Sequence, residues 1–358
     1  MSLPASAEDL LALTAALVDV PSVSHEEAEL ADDLEAWLGA HAPTLEVTRL
    51  ANTVVARTNL GRDRRVLLGG HLDTVPPNDN AGARVDGDVC HGLGSADMKG
   101  GVAVLLRIAE ELEGAAPHYD VTLLFYDCEE VEEEWNGLRT LFAEHSGLIA
   151  CDLAIMAEPT DGWIEAGCQG TLALRAVFEG ARAHSARPWK GENAIHRAAE
   201  TLTRLAGHEA DTVVVDGLEF RESLQVVRIE GGVAHNVVPD ECSIVVNRRF
   251  APAYSVEQAE AQVRDLLDGA DRVEVLNASP AAAPNLADPF VAQLVDGLGL
   301  DVRPKLGWTD VARFAAAGIP ALNLGPGDPS VAHTRDEHVT RESLDRVHTA
   351  LVGLLGLG

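Results

Sequence analysis

The order of strand-like and helix-like segments changes near residue 171, and this change constrains the fold more than any other feature of the chain. Before it, helical spacing of apolar residues alternates with short apolar runs. The helical patterns cover residues 7–20, 26–38 and 98–112, and the strand patterns cover residues 53–57, 65–68 and 121–126. Alternation of this kind favours an α/β domain in which helices flank a mixed sheet.

The segments that follow residue 171 have the order β-α-β-β-α-β, which is typical of a ferredoxin-like unit. The strand patterns cover residues 171–178, 224–229, 242–246 and 272–276, and the helical patterns cover residues 193–205 and 256–267. A short stretch of alanine and proline, Pro280–Pro284, then has the composition of a linker. We therefore predict a discontinuous first domain of residues 1–170 and 282–358, with an inserted domain of residues 171–281.

Composition excludes several classes of function. The formal net charge of −30 opposes binding to nucleic acid or to an anionic membrane, since both need clustered positive charge. No apolar run approaches the roughly 20 residues that span a bilayer, and residues 6–9 resemble a helix cap rather than an export signal. The five cysteines form no Cys-x-x-Cys pair and leave one over in any complete pairing. We expect a cytoplasmic protein with reduced thiols.

Potential metal ligands follow the apolar runs of the first domain. His71 and Asp73 are two residues apart, so on a strand they share a face, and a carboxylate there can steady an imidazole that binds a metal. The other candidate ligands are Asp97, Glu130, Glu158 and His333. Two zinc ions about 3.5 to 4 Å apart need a bridging group. Asp97 is the best candidate for that bridge, because its loop is rich in glycine and directly precedes a helix.

Glu129 and Glu130 are neighbours directly after a strand pattern. Their side chains should diverge, so we expect one of them to bind metal and the other to act as a base. The acidic run 132–134 that follows is typical of a solvated surface. The apolar run 121–126 directly precedes Glu129 and Glu130, and this position favours them over residues 132–134 as the functional acidic residues.

These motifs resemble the ligand series of the dinuclear zinc aminoacylase and carboxypeptidase family. The matching segments, in the family's order, are Gly-Ser-Ala-Asp-Met-Lys-Gly-Gly, Glu-Glu at 129–130, Ala-Glu-Pro-Thr and Ala-His-Thr. The resemblance implies two Zn²⁺ per subunit, with Co²⁺ or Mn²⁺ as substitutes. One zinc would bind His71, Asp97 and Glu158, and the other would bind Asp97, Glu130 and His333. Glu129 would be the general base, and Asp73 would orient His71.

The inserted domain also contains a motif of this family. Residues 183–188, Ala-His-Ser-Ala-Arg-Pro, resemble a segment whose histidine reaches across a dimer interface into the partner's site. This implies a homodimer formed through a lid and dimerisation domain, with His184 stabilising an oxyanion. By the same resemblance Asn236, Thr309 and Arg249 contact the substrate, and Arg248 remains an alternative to Arg249. The basic residues of the insert favour an anionic N-acyl amino acid as the small-molecule substrate.

Within this family, three phrases look most like the bacterial succinyl-diaminopimelate desuccinylase branch, especially its actinobacterial members. They are Tyr-Asp-Cys-Glu-Glu, Ala-Glu-Pro-Thr and Gly-Cys-Gln-Gly-Thr, the last of which departs from other relatives at Gln169. The implied reaction is hydrolysis of N-succinyl-LL-2,6-diaminopimelate to succinate and LL-2,6-diaminopimelate, in lysine and diaminopimelate biosynthesis. A related deacylase or peptidase, such as acetylornithine deacetylase or a carboxypeptidase, is the nearest alternative. A non-catalytic metal-binding protein would have no use for Glu129 as a free base.

Overall fold

A computed structural model describes residues 3–357, and the chain divides into two compact units. The first contains the chain up to Ala166, Asn285–Arg303 and the chain from Arg313 onward, and the second contains Gly167–Pro284 and Pro304–Ala312. The segment 304–312 belongs to the second unit, in which Gln169 N donates to the Lys305 carbonyl at 3.2 Å. The limits 171 and 281 of an inserted domain stay a prediction.

Within the described residues, the first unit is built on an eight-stranded mixed sheet and a three-stranded antiparallel sheet. Its strands are β1 (Glu46–Leu50), β2 (Thr53–Arg57), β3 (Arg65–His71), β4 (Arg84–Asp86), β5 (Val89–His91), β6 (Asp120–Tyr126), β7 (Leu153–Met156), β8 (Ile164–Cys168), β15 (Val302–Lys305), β16 (Ala321–Asn323) and β17 (His338–Thr340). The last two residues of β8 and of β15 are counted in the second unit. The large sheet has the order β1-β2-β6-β3-β7-β16-β8-β15, and the small one has the order β17-β5-β4. Strand β3 is parallel to both β6 and β7, so the residues that follow these three strands emerge at one edge.

Helices cover the large sheet and bury its apolar residues. They are α1 (Leu10–Val18), α2 (Ala28–His41), α3 (Gly100–Leu112), α4 (Gly137–Glu144), α5 (Ser146–Ile149), α8 (Pro289–Leu298), α9 (Val311–Ala316) and α10 (Arg341–Leu355). Strand β6 is buried along its whole length, which explains why its sequence is a continuous apolar run rather than an alternation. Among residues 3–357, no helix is long and apolar enough to cross a membrane.

The second unit is an antiparallel sheet with two helices on one face. Its elements are β9 (Gly170–Glu179), α6 (Ala194–Ala206), β10 (Thr212–Val215), β11 (Leu218–Arg221), β12 (Ser223–Gly231), β13 (Glu241–Phe250), α7 (Val256–Leu266) and β14 (Arg272–Ser279). The sheet order is β12-β13-β9-β14, and β10 and β11 form a separate hairpin. Alternate residues of β9 and β13, such as Leu174 and Ile244, share a core with Ala198 of α6 and Val263 of α7. This alternation places Arg175 and Asn247 on the other face of the sheet, together with Val177 and Val245.

The predicted α/β class is confirmed. The strand pattern 53–57 coincides with β2, and the pattern 65–68 extends by three residues to His71. The second unit contains the predicted order β-α-β-β-α-β, with the hairpin β10–β11 added after the first helix. The lid and dimerisation roles of this unit stay predictions.

Candidate active site

Three strand ends bring the acidic and histidine residues of the first unit together. His71 is the last residue of β3, Glu130 lies in the turn after β6, and Glu158 follows β7 by two residues. The parallel pairing continues past the strands, because Leu72 N donates to the Tyr126 carbonyl at 2.8 Å. His71 and Glu158 are both buried, with 1% and 6% of their surface exposed. The edge of the sheet therefore positions residues from three separate parts of the sequence.

Asp97 lies between two imidazoles. One carboxylate oxygen, Oδ1, is 3.1 Å from Nε2 of His71, and the other, Oδ2, is 3.5 Å from Nε2 of His333. The same nitrogen of His333 is 2.8 Å from Oε1 of Glu130. The ligand atoms of His71, Asp97 and Glu130 all lie within 4.8 Å of one another. A carboxylate with one oxygen toward each imidazole has the shape of a bridge between two metal ions, and nitrogen and oxygen donors suit zinc.

The backbone around Asp97 is fixed by a buried carboxylate that the sequence analysis missed. Asp97 lies in the segment Ser95–Lys99 that precedes α3. Its backbone is extended, with φ of −121° and ψ of 94°, and its peptide bond to Met98 is cis. The backbone N–H groups of Ala96 and Asp97 both donate to Oε1 of Glu337 at 3.1 Å. Burial raises the pKa of Glu337 to about 7, although these N–H groups act in the opposite direction.

Glycine allows the chain to approach closely where α3 begins. A Cβ atom at Gly101 would overlap the carbonyl oxygen of Ala157, the residue before Glu158. The absence of a side chain at Gly101 therefore lets the start of α3, just after Asp97, pack closely against the segment that carries Glu158.

The two histidines are surrounded by negative charge. Burial acts to lower the pKa of His71, but hydrogen bonds to Asp73 and Asp97 and the charge of Glu158 raise it well above its ordinary value. Hydrogen bonds that His333 donates to the carboxylates of Asp97 and Glu130 raise its pKa to about 10. Burial opposes ionisation of Asp97, yet the two histidines hold its pKa well below the usual range. Several carboxylates thus surround two imidazoles, and an imidazole can bind a metal cation in its neutral form. This arrangement suits a cation between these groups.

Asp73 holds the backbone that carries the two glutamates. Its carboxylate is fully buried and accepts hydrogen bonds from Glu129 N at 2.9 Å, from Glu130 N at 3.0 Å and from the Ser24 hydroxyl at 2.7 Å. Nδ1 of His71 is 3.0 Å from the Asp73 carbonyl oxygen and 3.5 Å from the carboxylate. The nearer partner of the imidazole is thus the Asp73 backbone, whereas the sequence had suggested the side chain.

His184 and Asn236 lie side by side in the second unit. Ser185 N donates to the Asn236 carbonyl at 2.9 Å, and Val238 N donates to the Ala183 carbonyl at 2.8 Å. Nδ1 of His184 accepts a hydrogen bond from Ala186 N at 3.1 Å. In the neutral ring the proton must then sit on Nε2, which makes the exposed His184 a hydrogen-bond donor.

The two adjacent arginines of β13 differ in their partners. Arg248 is buried and donates to the Ala259 carbonyl at 3.1 Å and to the Glu222 carboxylate at 3.0 Å. Arg249 is partly exposed on the opposite face of the strand and forms no ion pair within residues 3–357. The difference between the two arginines favours Arg249 over Arg248 as the residue that is available to a substrate.

Thr309, the third candidate substrate contact, is buried, and its carbonyl oxygen is 3.8 Å from the sulfur of Cys168.

A sequence comparison matches residues 67–356 to Peptidase family M20/M25/M40. The chain belongs to this family. An M20 enzyme hydrolyses an amide bond, and the grouping of His71, Asp97 and Glu130 at the sheet edge agrees with a metal-dependent reaction.

Two relatives that match over nearly their whole length are named for the same activity. A Corynebacterium glutamicum protein named succinyl-diaminopimelate desuccinylase is 45% identical over 350 residues, covering 96% of this chain and 95% of its own. A Mycobacterium tuberculosis protein, provisionally named for the same activity, is 51% identical over 348 residues, covering 97% of each chain. A solved Bacillus subtilis structure, described as a dinuclear metal binding peptidase of the M20 family, has a TM-score of 0.70 and 16% identity, covering 97% of each chain. This structural likeness shows the shared fold.

Proposed function

We propose that the chain is a succinyl-diaminopimelate desuccinylase, which hydrolyses N-succinyl-LL-2,6-diaminopimelate to succinate and LL-2,6-diaminopimelate. The position of Asp97 between His71 and His333 carries the chemical part of this proposal, because it supplies a bridge for a paired metal site. The name shared by the two full-length relatives supports the substrate. The product would enter lysine and diaminopimelate biosynthesis.

The proposed metal centre holds two zinc ions in each subunit. His71, Asp97 and Glu158 would bind one ion, and Asp97, Glu130 and His333 would bind the other. The positions of His71, Asp97, Glu130 and His333 support this assignment, since their imidazole nitrogens and carboxylate oxygens converge from four separate segments of the chain. Co²⁺ or Mn²⁺ could replace zinc, because they accept the same donors. When bound, the two metal ions would polarise the amide carbonyl of the substrate and lower the pKa of a water molecule.

The residues of the chain supply the proton transfers. Glu129 takes the proton of the attacking water and returns it to the leaving amine nitrogen. Its backbone N–H is held by Asp73, which supports a fixed position for this base. The donor Nε2–H of the partner subunit's His184 would stabilise the oxyanion of the tetrahedral intermediate.

Arg249, Asn236 and Thr309 are the proposed substrate contacts. Burial lowers the pKa of Arg249, and no carboxylate of the described residues pairs with it. A partly buried guanidinium without an ion pair would be stabilised by a charge-assisted hydrogen bond to a substrate carboxylate, either on the succinyl group or on diaminopimelate.

A homodimer formed through the second unit is part of this proposal. Strand β12 is at the edge of its sheet, and Val227 and Ile229 on it are 61% and 53% exposed. An exposed apolar edge strand is a surface that another strand can cover. The five free cysteines support a reducing compartment, which we take to be the cytoplasm.

Metal removal and restoration test the proposal. The purified protein should release succinate from N-succinyl-LL-2,6-diaminopimelate, lose this activity on dialysis against a chelator and regain it with Zn²⁺, Co²⁺ or Mn²⁺. Mg²⁺ serves as the control, because it binds poorly to imidazole sites. Full activity in metal-free protein would contradict the metal centre, and absence of succinate release from metal-loaded protein would contradict the substrate.

A further inference from the structure

In the turn that carries Glu129 and Glu130, three successive backbone N–H groups donate hydrogen bonds to two buried carboxylates. Asp73 accepts from Glu129 N at 2.9 Å and from Glu130 N at 3.0 Å. The preceding N–H, that of Cys128, donates to Oε1 of Glu27 at 3.3 Å. Asp73 therefore holds only part of this turn, and Glu27 holds the residue at which the turn begins.

Glu27 is fully buried, and its carboxylate has donors on both oxygens. Oε1 accepts from His25 N at 2.9 Å and from the Cys128 thiol at 3.4 Å, and Oε2 accepts from the Asn52 side chain at 3.4 Å. Buried charge is retained in proteins when it is hydrogen-bonded in this way. The acid lies 101 residues from Cys128 in sequence, so its contacts join two distant segments.

Cys128 contacts Glu27 through both its backbone and its side chain. Its backbone N–H is 3.3 Å and its sulfur 3.4 Å from Oε1 of Glu27, so the thiol is directed at the carboxylate. The backbone of Cys128 is left-handed, with φ of 57°. A non-glycine residue in this region needs surrounding contacts to hold it, and Glu27 provides two of them.

The segment that carries Glu27 is also fixed to the segment that carries Asp73. Val23 forms a parallel bridge with Thr74, and the Ser22 hydroxyl donates to the Leu72 carbonyl at 2.7 Å. The Ser24 hydroxyl donates to the Asp73 carboxylate itself. Residues 22–27 therefore contact both the loop after β3 and the turn after β6.

We propose that Glu27 is a positioning residue for the reaction: by holding Cys128, it sets the direction in which Glu129 and Glu130 leave the strand. Without it, the turn would remain attached only through Asp73 and could rotate about that contact. Glu129 would then lose its alignment with the attacking water, and Glu130 would lose its place in the metal centre. This inference rests on the roles given to both glutamates under the proposed function.

Three variants of Glu27 test the inference. Glu27→Ala removes both hydrogen bonds to Cys128 and should lower kcat about 10- to 100-fold, the usual cost of displacing a catalytic group by about 1 Å, with KM nearly unchanged. Glu27→Gln keeps an oxygen that can accept from His25 N and Cys128 N, so it should restore most of kcat. Glu27→Asp withdraws the carboxylate by one methylene and should give an intermediate kcat. Glu26→Ala, which changes the exposed neighbour, is the matched control and should behave as wild type.

A second readout needs no substrate. Titration of metal-free protein with Zn²⁺ should show weaker binding of the second equivalent in Glu27→Ala, because Glu130 is displaced, and unchanged binding of the first. Wild-type kcat and wild-type zinc binding in Glu27→Ala would overturn the inference, as would failure of Glu27→Gln to restore kcat. If Glu27→Ala does not fold, a wild-type kcat in Glu27→Asp would overturn it. If the wild type releases no succinate, the proposed substrate is wrong, and the zinc titration still decides the role of Glu27.

Discussion

At the scale of single residues, the second of two adjacent glutamates, Glu130, contacts a histidine. Glu130 Oε1 is 2.8 Å from His333, whose other close oxygen belongs to Asp97. Both glutamates donate their backbone N–H to the Asp73 carboxylate, so the turn that carries them is fixed. This geometry supports a metal-binding role for Glu130 and leaves Glu129 as the proposed base.

Glu129→Gln should keep the bound metals and lower kcat about 10²- to 10⁴-fold, because it removes a proton acceptor without removing a ligand. Metal analysis and steady-state rates on the same preparation measure both properties. Glu132→Gln changes a nearby exposed acid and should leave kcat unchanged. Loss of metal from the folded Glu129→Gln protein would show that Glu129 is a ligand.

Zinc binding should release protons, because the pKa of His333 is raised to about 10 in the metal-free chain. At neutral pH this imidazole is protonated, and zinc binds only its neutral form, so zinc affinity should rise with pH up to that value and fall as the pH falls. Calorimetry in two buffers of different ionisation enthalpy measures the released protons. His333→Ala should release about one proton fewer, and His338→Ala is the control. Equal proton release from wild type and His333→Ala would contradict this protonation state.

At the scale of elements, the sequence predicted the long buried strands and missed the short ones. Strands β3 and β6 have seven residues each and read as apolar runs, whereas β16 has three residues and β7 has four, too few to show a period. Sequence motifs indicated the candidate ligands because the side chains of those histidines and acidic residues are themselves metal donors. Glu27 and Glu337 could not be found in this way, because each acts through backbone N–H groups 101 and about 240 residues distant. Only the folded sheet edge shows those contacts.

Asp73→Asn tests the connection between the loop after β3 and the turn after β6. The amide would direct an N–H toward one of the two backbone N–H groups, leaving a buried donor without an acceptor at a cost of about 1 to 3 kcal/mol. We expect a lower melting temperature and a loss of kcat that exceeds that of Ser24→Ala, which removes one donor to the same carboxylate. Equal rates for the two variants would show that Asp73 does not hold the catalytic turn.

At the scale of the whole molecule, the candidate residues divide between the two units. The first contains the proposed metal centre and Glu129, and the second contains His184, Asn236, Arg249 and Thr309. A dimer through the second unit would explain how a hydrogen-bond donor on an exposed loop becomes part of an active site.

Mixing two inactive variants tests this shared site. In a heterodimer of Glu129→Gln and His184→Ala, one site combines an intact Glu129 with the intact His184 of the partner. After random subunit exchange at equal concentrations, half of the dimers are mixed and each has one complete site, so about a quarter of wild-type activity should return. Exchange is verified with differently labelled subunits. No recovery after verified exchange would contradict a site shared between subunits.

The proposed function is tested most directly by a comparison of kcat/KM for three substrates of the metal-loaded protein. They are N-succinyl-LL-2,6-diaminopimelate, N-acetylornithine and a glutamyl dipeptide, which share the scissile amide and differ in the group that the second unit would recognise. We predict that the succinylated substrate is preferred by about tenfold or more, since a hydrogen bond to one further charged group contributes about 1.5 to 3 kcal/mol. An equal or higher kcat/KM for N-acetylornithine or the dipeptide would contradict it.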